Sequence, residues 1–315
     1  MSSTTGLKSA SSAEPKKPSL GRFFVTRFGE PLFVRYQARF ERMDQIQAEK
    51  AGERLGRIHY AIDRKHRLRT LSNLAMALPE IDPRRRALIA KGVFMHFGRI
   101  GGDFLRSPIR KFDEVTSNMA VDGFEHVEAA EARGKGIIAL TGHFGNWERY
   151  AQYMVARGRK LSVIARDANQ EGVQARVQAI REAAGVEVLS RGNSARHSLI
   201  KLRKNEMIGI LADQNSYDCF VPFFGKMAGT VNGPAVLHQR TGATLLPMFC
   251  IWEDYGKYRV VVHPPVDPEN TETDATQITA ELNLALESIV RQYPEQWLWM
   301  HDRWKNSRRE GLLEA

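Results

Sequence analysis

From residue 121 onwards, short apolar runs alternate with longer amphipathic segments. The apolar runs predict strands over 136–140, 161–165, 186–189 and 207–211, and the segments between them predict helices over 147–157, 171–184 and 194–204. This order implies βαβ crossovers and a parallel sheet. Further along, the pattern predicts a helix over 234–241, strands over 244–252 and 258–263 added antiparallel through 253–257, and a helix over 276–292. We therefore predict an α/β domain over 121–315, with a mostly parallel central sheet flanked by helices.

The N-terminal third has a different character. Residues 1–19 are rich in Ser, Lys and Pro and predict a disordered leader, whereas 20–120 form a basic helical region. Within it, Phe23 to Arg42 places Phe and Leu at helical spacing among arginines, with Pro31 expected to break or kink the helix. Two interpretations stay open for this stretch: an amphipathic segment in a membrane interface, or helices packed on the α/β domain.

Charge divides the chain in the same place. Residues 1–120 hold 23 Lys and Arg against 12 Asp and Glu, while 121–315 hold 23 against 24. A basic block of this kind can face nucleic acid, an anionic membrane or an acidic protein. The sequence has no run of about 18 apolar residues and no secretory signal. Its two cysteines, Cys219 and Cys250, predict no disulfide framework, so we expect a protein of the cytoplasmic side.

Candidate chemistry lies just after the first buried strand. His143 follows that strand in a turn flanked by Gly142 and Gly145, and Glu148 comes five residues later. A neutral imidazole can take a proton from a hydroxyl near pH 7, and a carboxylate on its other nitrogen would fix its tautomer. The spacing predicts a base for activating an alcohol, although a surface His beside a Glu in a first helical turn has the same pattern.

Five blocks in order resemble the late acyltransferases of lipid A biosynthesis, a branch of the lysophospholipid acyltransferase superfamily. The resemblance covers roughly 112–305 and is carried by HFGNWE (143–148), VIARDAN (163–169), ILADQN (210–215) with VPFFG (221–225), TGA (241–243) leading to Pro247, and PEQWLWMHDRWK (294–305). Each block is weak by itself, and their shared order is what makes the resemblance specific.

The resemblance implies transfer of a fatty acyl group from acyl carrier protein to a hydroxyl of a lipid A precursor of the Kdo-lipid IVA type. His143 would be the base, Glu148 would orient it, and the acyl group would pass directly without a covalent enzyme intermediate. Arg166 would either stabilise the oxyanion or bind a phosphate, and both roles stay open. The resemblance also implies substrate-binding roles for a further set of residues, namely Asn146, Asn169, Asp213, Gln214, Asn215, Phe223, Phe224 and Gly225.

The expected partners follow from this chemistry: acyl carrier protein, a lipid acceptor and an anionic membrane surface. We expect peripheral or monotopic attachment at the cytoplasmic face of the inner membrane, because the N-terminal region is polar and basic where many relatives carry an apolar segment. No cofactor is expected apart from the acyl-carrier substrate, and no cluster of His, Cys and carboxylate was identified as a metal site.

Other acceptors remain alternatives within the same chemistry, including another glycolipid, a phosphatidylinositol mannoside or an aminolipid. A different class would be a nucleic-acid-binding protein using the basic block, but no recognised nucleic-acid motif is present, and no nucleic-acid partner is expected. A serine hydrolase is disfavoured because the sequence has no G-x-S-x-G elbow.

Overall fold

The computed structural model describes residues 20–165, 171–190, 192, 194–266 and 273–313. The leader predicted for 1–19 lies outside these residues. Nine strands are described, with the bounds β1 Met119–Asp122, β2 Ile137–Thr141, β3 Leu161–Ala165, β4 Glu187–Ser190, β5 Met207–Leu211, β6 Cys219–Phe223, β7 Lys226–Thr230, β8 Thr244–Asp254 and β9 Lys257–Val262.

Seven of these strands form one sheet in the order β1-β9-β8-β2-β5-β3-β4. Every neighbouring pair in it is parallel except β8 and β9, which pair antiparallel through the turn after Asp254. Strands β6 and β7 form a separate antiparallel hairpin. The predicted α/β class and the antiparallel addition are both confirmed.

Twelve α-helices are described. Their bounds are α1 Leu20–Phe40, α2 Gln45–Ile62, α3 Arg64–Ala77, α4 Pro83–Arg106, α5 Phe112–Ser117, α6 Phe124–Ala132, α7 Trp147–Ala156, α8 Glu171–Ala183, α9 Ser194–Leu202, α10 Gly233–Thr241, α11 Ala275–Gln292 and α12 Lys305–Arg309. No helix among the described residues has the length and apolar character needed to cross a bilayer.

Side-chain caps set several helix starts. Asp44 accepts a hydrogen bond from the backbone N–H of Gln47, whose side chain accepts from the backbone N–H of Asp44 in return, which is a capping box. Asp82 accepts from two backbone N–H groups at the start of α4, where Pro83 occupies the first helical position. Of the break or kink expected at Pro31, the break is absent, because α1 continues through it from Leu20 to Phe40.

Helices α2 and α4 cross at a seam of small residues. A methyl group built on Gly52 would lie 2.1 Å from the carbonyl oxygen of Gly98, and one on Gly56 would lie 2.2 Å from that of Phe94. One on Gly102 would lie 2.3 Å from the carbonyl oxygen of Ala48. Only glycine permits the two backbones to approach this closely.

The N-terminal helices share a core with the sheet. One buried cluster joins Leu74 and Val93 of α3 and α4 to Phe249 of β8 and to Trp297 and Trp299 near the C-terminus. Two further clusters cover the two faces of the sheet, one beneath α7 and one beneath α9 and α10. The helices before residue 112 therefore contribute apolar surface directly to the packing around the carboxyl ends of the strands.

Candidate active site

Strand register brings His143 and Asp213 together. Thr141, at the end of β2, pairs with Leu211, at the end of β5. His143 and Asp213 each lie two residues beyond this pair. The Nδ1 atom of His143 lies 2.8 Å from Oδ1 of Asp213, and the backbone N–H of His143 donates to Oδ2 at 2.6 Å. The carboxyl ends of adjacent parallel strands thus deliver an imidazole and its carboxylate partner to one point.

Asp213 is held as an anion in the interior. It is 3% exposed, and Nε1 of Trp297 donates a further hydrogen bond to Oδ2 at 2.9 Å. Burial by itself would raise the pKa of this carboxyl, but the charge of His143 and the hydrogen bonds from His143 and Trp297 outweigh burial and lower the pKa to about 2. An ionised Asp213 favours a proton on Nδ1 of His143, which leaves the lone pair on Nε2.

The Nε2 atom of His143 lies 3.4 Å from the side-chain amide nitrogen of Gln214. The ring of Trp147 packs edge-on to the imidazole, with centroids 5.2 Å apart. Both His143 and Gln214 line a cavity of about 710 Å³. The imidazole therefore has one nitrogen fixed by a buried carboxylate and the other placed beside a cavity large enough for a substrate.

That cavity is mainly apolar and lies around the carboxyl ends of β2, β3 and β5. Helices α7 and α8 contribute one part of the lining, and α9 and α10 contribute another. Its apolar members include Val163, Val173, Val177, Leu199, Ile210 and Val236. Burying a methylene group in such surroundings contributes about 0.8 kcal/mol, so an alkyl chain is the kind of ligand that this lining favours.

Glu148 does not occupy the position expected of it. Its carboxylate receives hydrogen bonds from Nε of Arg181, at 3.0 and 3.2 Å, and from Nε1 of Trp147 at 3.0 Å. The assignment of Glu148 as the carboxylate that orients His143 is wrong in this structure, because Asp213 fills that place. The reason is geometric: Glu148 lies in the first turn of α7, facing α8, whereas Asp213 follows the strand adjacent to β2.

Asn146 caps α7, as the sequence indicates for a helix that starts near Trp147, and its substrate-binding role stays a prediction. Its side-chain oxygen accepts from the backbone N–H of Arg149 at 3.0 Å, and its amide nitrogen donates to Oδ2 of Asp103 at 2.8 Å. Asn146 is only 1% exposed. Both ends of its amide are therefore engaged in holding the turn that carries His143.

Two residues of α4 that sequence analysis missed support this turn. Asp103 is fully buried, and its pKa is lowered because Arg110 and Arg149 outweigh the effect of burial. His96 is also buried, and its Nε2 lies 3.3 Å from the carbonyl oxygen of Gly145. Desolvation lowers the pKa of His96 to about 3, so it is neutral and donates to that carbonyl. Their only sequence signal is a polar residue on an otherwise apolar helical face.

Gly145 needs its lack of a side chain. Its φ is +56°, and a methyl group built on it would lie 1.9 Å from the carbonyl oxygen of Cys250. This close approach lets the backbone N–H of Asn146 donate to the same carbonyl at 2.7 Å. The expected sharp turn is present, and it fastens the His143 loop to β8.

The hairpin of β6 and β7 does not contribute to the cavity lining. Phe223 is fully buried and packs on Trp297 and Trp304, with centroids 5.3 and 5.8 Å away. Phe224 is 4% exposed and packs on Trp299, while Gly225 forms the exposed turn with a φ of +66°. The structure therefore places Phe223 and Phe224 in the core beside the C-terminal tryptophans, and the substrate-binding role of Phe223, Phe224 and Gly225 stays a prediction.

Asn215 does line the cavity. Its backbone N–H donates to Nε2 of His301 at 3.2 Å, and its side-chain oxygen accepts from the backbone N–H of Asn306 at 3.2 Å. Desolvation lowers the pKa of His301, which favours the neutral ring required of an acceptor. Arg166 and Asn169 lie outside the described residues. Among the cations that are described, Arg181 and Arg240 line the cavity, and Arg181 is paired to Glu148.

An imidazole and carboxylate at the carboxyl edge of a parallel sheet, opening on an apolar cavity, define a class of α/β enzyme suited to activating an alcohol beside an alkyl chain. The chain belongs to the bacterial lipid A biosynthesis acyltransferase family, whose model matches residues 41–306. Membership of this family supports the conclusion that the chain is an enzyme that transfers an acyl group to a glycolipid.

Individual relatives divide between two kinds of acceptor. The chain is 28% identical to a phosphatidylinositol mannoside acyltransferase of Mycobacterium tuberculosis (strain CDC 1551 / Oshkosh), over 66% of this chain and 67% of the relative. It is 25% identical to a lipid A biosynthesis acyltransferase of Haemophilus influenzae, over 75% of both chains. It is 29% identical to the lipid A biosynthesis palmitoleoyltransferase of Escherichia coli K12, over 59% of this chain and 61% of the relative.

Proposed function

We propose that this chain transfers a fatty acyl group from acyl carrier protein to a hydroxyl of a lipid A precursor of the Kdo-lipid IVA type. The observation that carries the proposal is the His143–Asp213 pair at the edge of the apolar cavity of about 710 Å³. Such a pair activates a hydroxyl, and such a cavity holds an acyl chain.

The reaction balances with His143 as the only base. Its Nε2 takes the proton of the acceptor hydroxyl, and the oxygen attacks the carbonyl carbon of the thioester. A C–O bond forms, the C–S bond breaks, and the imidazolium returns its proton to the leaving thiolate. Asp213 stays ionised throughout, because its low pKa keeps it as the counter-charge for the imidazolium. Direct transfer needs no covalent enzyme intermediate.

The developing oxyanion needs a donor. Arg166 remains the candidate from sequence, either for this role or for a phosphate of the substrates. The amide of Gln214 lies beside Nε2 of His143 and can donate to the reacting oxygens once substrate enters. Arg181 supplies a further cation at the cavity, and its ion pair with Glu148 keeps that charge balanced until substrate binds.

Attachment to an anionic membrane surface is supported by the exposed faces of the N-terminal helices. Leu32, Val34 and Tyr36 of α1 are exposed apolar residues, and so are Ile58 and Ile62 of α2. Exposed arginines accompany them, at positions 35, 39, 42, 54 and 57. Apolar side chains within a basic surface suit the boundary between acyl chains and phosphates. Part of α1 packs on the rest of the chain, because Phe40 is buried.

The proposal places the enzyme at the cytoplasmic face of the inner membrane, as a peripheral protein. The same basic surface suits acyl carrier protein, which is acidic. Phosphatidylinositol mannoside is the second candidate acceptor, and the similarity to the mycobacterial enzyme favours it specifically. Both acceptors present a hydroxyl to the same base, so the chemistry of the site is common to them.

The test is mass spectrometry of lipids after incubating the full-length chain with mixed acyl carrier protein thioesters. Three acceptors are supplied separately: Kdo-lipid IVA, phosphatidylinositol mannosides, and a total bacterial lipid extract. Parallel reactions use acyl-CoA as donor and His143→Ala as the inactive control.

The expected result is one added acyl mass on Kdo-lipid IVA, with wild type and acyl carrier protein thioesters only. A gain on phosphatidylinositol mannosides alone would mean that these lipids are the acceptor and that the proposed chemistry stands. A gain with acyl-CoA alone would mean that acyl-CoA, and not acyl carrier protein, is the donor. Equal gains with wild type and His143→Ala would contradict the base, and no gain on any acceptor would contradict the proposed reaction.

A further inference from the structure

A second histidine–aspartate cluster lies at the corner between α2 and α3. His59 is in the last turn of α2, Asp63 joins the two helices, and His66 is in the first turn of α3. One ligand atom from each of the three lies within 4.8 Å of the other two. Sequence analysis overlooked this spacing of H-x3-D-x2-H. The cluster does not belong to the cavity or to the His143 site.

We propose that His59, Asp63 and His66 form a binding site for a divalent first-row transition metal, with Zn²⁺ as the reference ion. Imidazole nitrogen and carboxylate oxygen are ligands that suit Zn²⁺, at about 2.0–2.2 Å. Three protein ligands leave a fourth tetrahedral position for water. The side chains of His59 and His66 are 49% and 41% exposed, so ion and water can reach them.

The present hydrogen bonds already point the correct atoms at one another. Nε2 of His59 lies 2.9 Å from Oδ2 of Asp63, and Nδ1 of His66 lies 2.6 Å from the same oxygen. Two ligand atoms on one tetrahedral zinc are roughly 3.3 Å apart, so the ion needs these distances to open by about half an ångström. Each neutral imidazole would move its proton to its other ring nitrogen.

Surrounding contacts hold the three side chains in place. Oδ1 of Asp63 accepts from the backbone N–H of His66 at 3.0 Å, which leaves Oδ2 to face the ion. The ring of His59 packs edge-on to buried Phe94, with centroids 5.0 Å apart. Arg67 donates to the carbonyl oxygens of Tyr60 and Ala61, which fixes the end of α2. Supporting contacts of this kind orient metal ligands.

The basic residues beside the cluster determine the metal affinity that we expect. Arg64 and Lys65 adjoin Asp63 in the sequence, and Arg67 follows. Positive charge near a dication weakens its binding, so we expect a dissociation constant in the micromolar range. Binding would pin the corner between α2 and α3 and raise the thermal midpoint, because the ion binds the folded chain.

Calorimetric titration of the metal-free, tag-free full chain with ZnCl₂ tests the site. Visible absorption of the protein loaded with Co²⁺ in place of Zn²⁺ reports whether the bound ion is tetrahedral. Variants His59→Ala and His66→Ala each remove one ligand. Asp63→Asn removes the carboxylate and retains the oxygen that caps α3. His197→Ala, an exposed histidine of α9, is the matched control.

We expect one Zn²⁺ per chain, binding at least fivefold weaker in each of the three ligand variants, and unchanged binding in His197→Ala. Circular dichroism of the variants establishes that they fold. A wild-type dissociation constant weaker than about 100 μM would overturn the proposal, since it would contradict the expected micromolar binding. Loss of less than fivefold in the ligand variants would overturn it equally.

Discussion

Two aspartates in this molecule each face an imidazole, and they differ in burial. Asp213 is 3% exposed and contacts one histidine, whereas the side chain of Asp63 is 23% exposed and contacts two. Both carboxyls have a lowered pKa, but for different reasons. At Asp63 the backbone N–H of His66 contributes most, followed by the two imidazoles. At Asp213, burial opposes ionisation, and the His143 charge with its hydrogen bonds overcomes it.

Burial decides what each cluster can do. At the cavity edge, the interior fixes one carboxylate against one nitrogen and leaves the other nitrogen for chemistry. At the helix corner, three ligand atoms share an exposed space into which an ion and water can enter. A buried pair is suited to moving a proton, and an exposed set of three is suited to binding a cation.

The largest expected effect is that of His143→Ala. Removing the base should reduce transfer by about 10⁴-fold, the upper end of what proton transfer by a positioned side chain contributes. Asp213 keeps its hydrogen bonds from Trp297 and from the backbone at 143, so the variant should fold. Transfer rates measured with a labelled acyl donor, together with a circular dichroism melt, check both parts. An active variant would contradict the assignment of the base.

Asp213→Asn should have the second-largest effect on transfer. Without the carboxylate, Nδ1 of His143 loses the partner that fixes its tautomer, and transfer should fall by about 10³-fold. Asp122→Asn, which changes an exposed carboxylate paired with Arg259, serves as the control. Steady-state rates at saturating substrate distinguish the two variants. If both variants lost the same fraction of transfer activity, the buried carboxylate would have no special role in the reaction.

The pH dependence of stability gives a third prediction. Asp213 has a folded pKa of about 2, below its ordinary value, so its contribution is present above pH 4 and is lost as the pH falls toward 2. The lowered pKa corresponds to about 2 kcal/mol of the free energy of unfolding. Urea unfolding at pH 5, 4 and 3 should show that the difference in the free energy of unfolding between wild type and Asp213→Asn becomes smaller as the pH falls. A constant gap would contradict the low pKa.

Glu148→Gln should have a smaller effect than Asp213→Asn. The amide cannot balance Arg181, so we expect transfer to fall by about tenfold through altered positioning of α7 and α8. Because Glu148 does not contact the imidazole in this structure, the pH profile of transfer should keep its shape. A loss as large as that of Asp213→Asn would return Glu148 to the role first expected of it.

Trp297→Phe should have the smallest effect. It removes one of the hydrogen bonds to the Asp213 carboxylate, and a hydrogen bond to a charged group is worth about 1.5–3 kcal/mol of stability. Because the two contacts from His143 remain, we expect the loss in rate to be smaller, at roughly fivefold. The matched control is Trp299→Phe, whose indole donates to the carbonyl oxygen of Pro294 instead. Comparing kcat for the two variants checks the prediction, and equal values would indicate a packing role alone.

The fold was largely predictable because its strands are continuous apolar runs. The segments predicted over 161–165 and 207–211 are strands with the same bounds in the structure. The prediction had no hairpin over 219–230, because Pro222 and the glycines there disguise a strand pattern. It also expected a break or kink at Pro31, and the helix is not broken there, because a proline alone does not end a helix that the surrounding chain supports.

The sequence pointed to the histidine of the candidate site but not to the carboxylate that contacts it. His143 follows a strand in a glycine turn, which is a local signal. Asp213 lies 70 residues further on, and only the pairing of β2 with β5 reveals that the two meet. Glu148 was favoured because it is near in sequence. Asp103 and His96 were missed for the same reason, since their contacts with the His143 turn join distant segments.

The glycine seam between α2 and α4 has a consequence for protein engineering. A pair of helices joined backbone to backbone cannot slide or be respaced by adapting side chains, because there are none at the points of contact. Helix α4 carries Asp103 and His96 to the loop of the base. Chimeras that exchange the N-terminal helices between relatives should therefore exchange α2 and α4 as a single part.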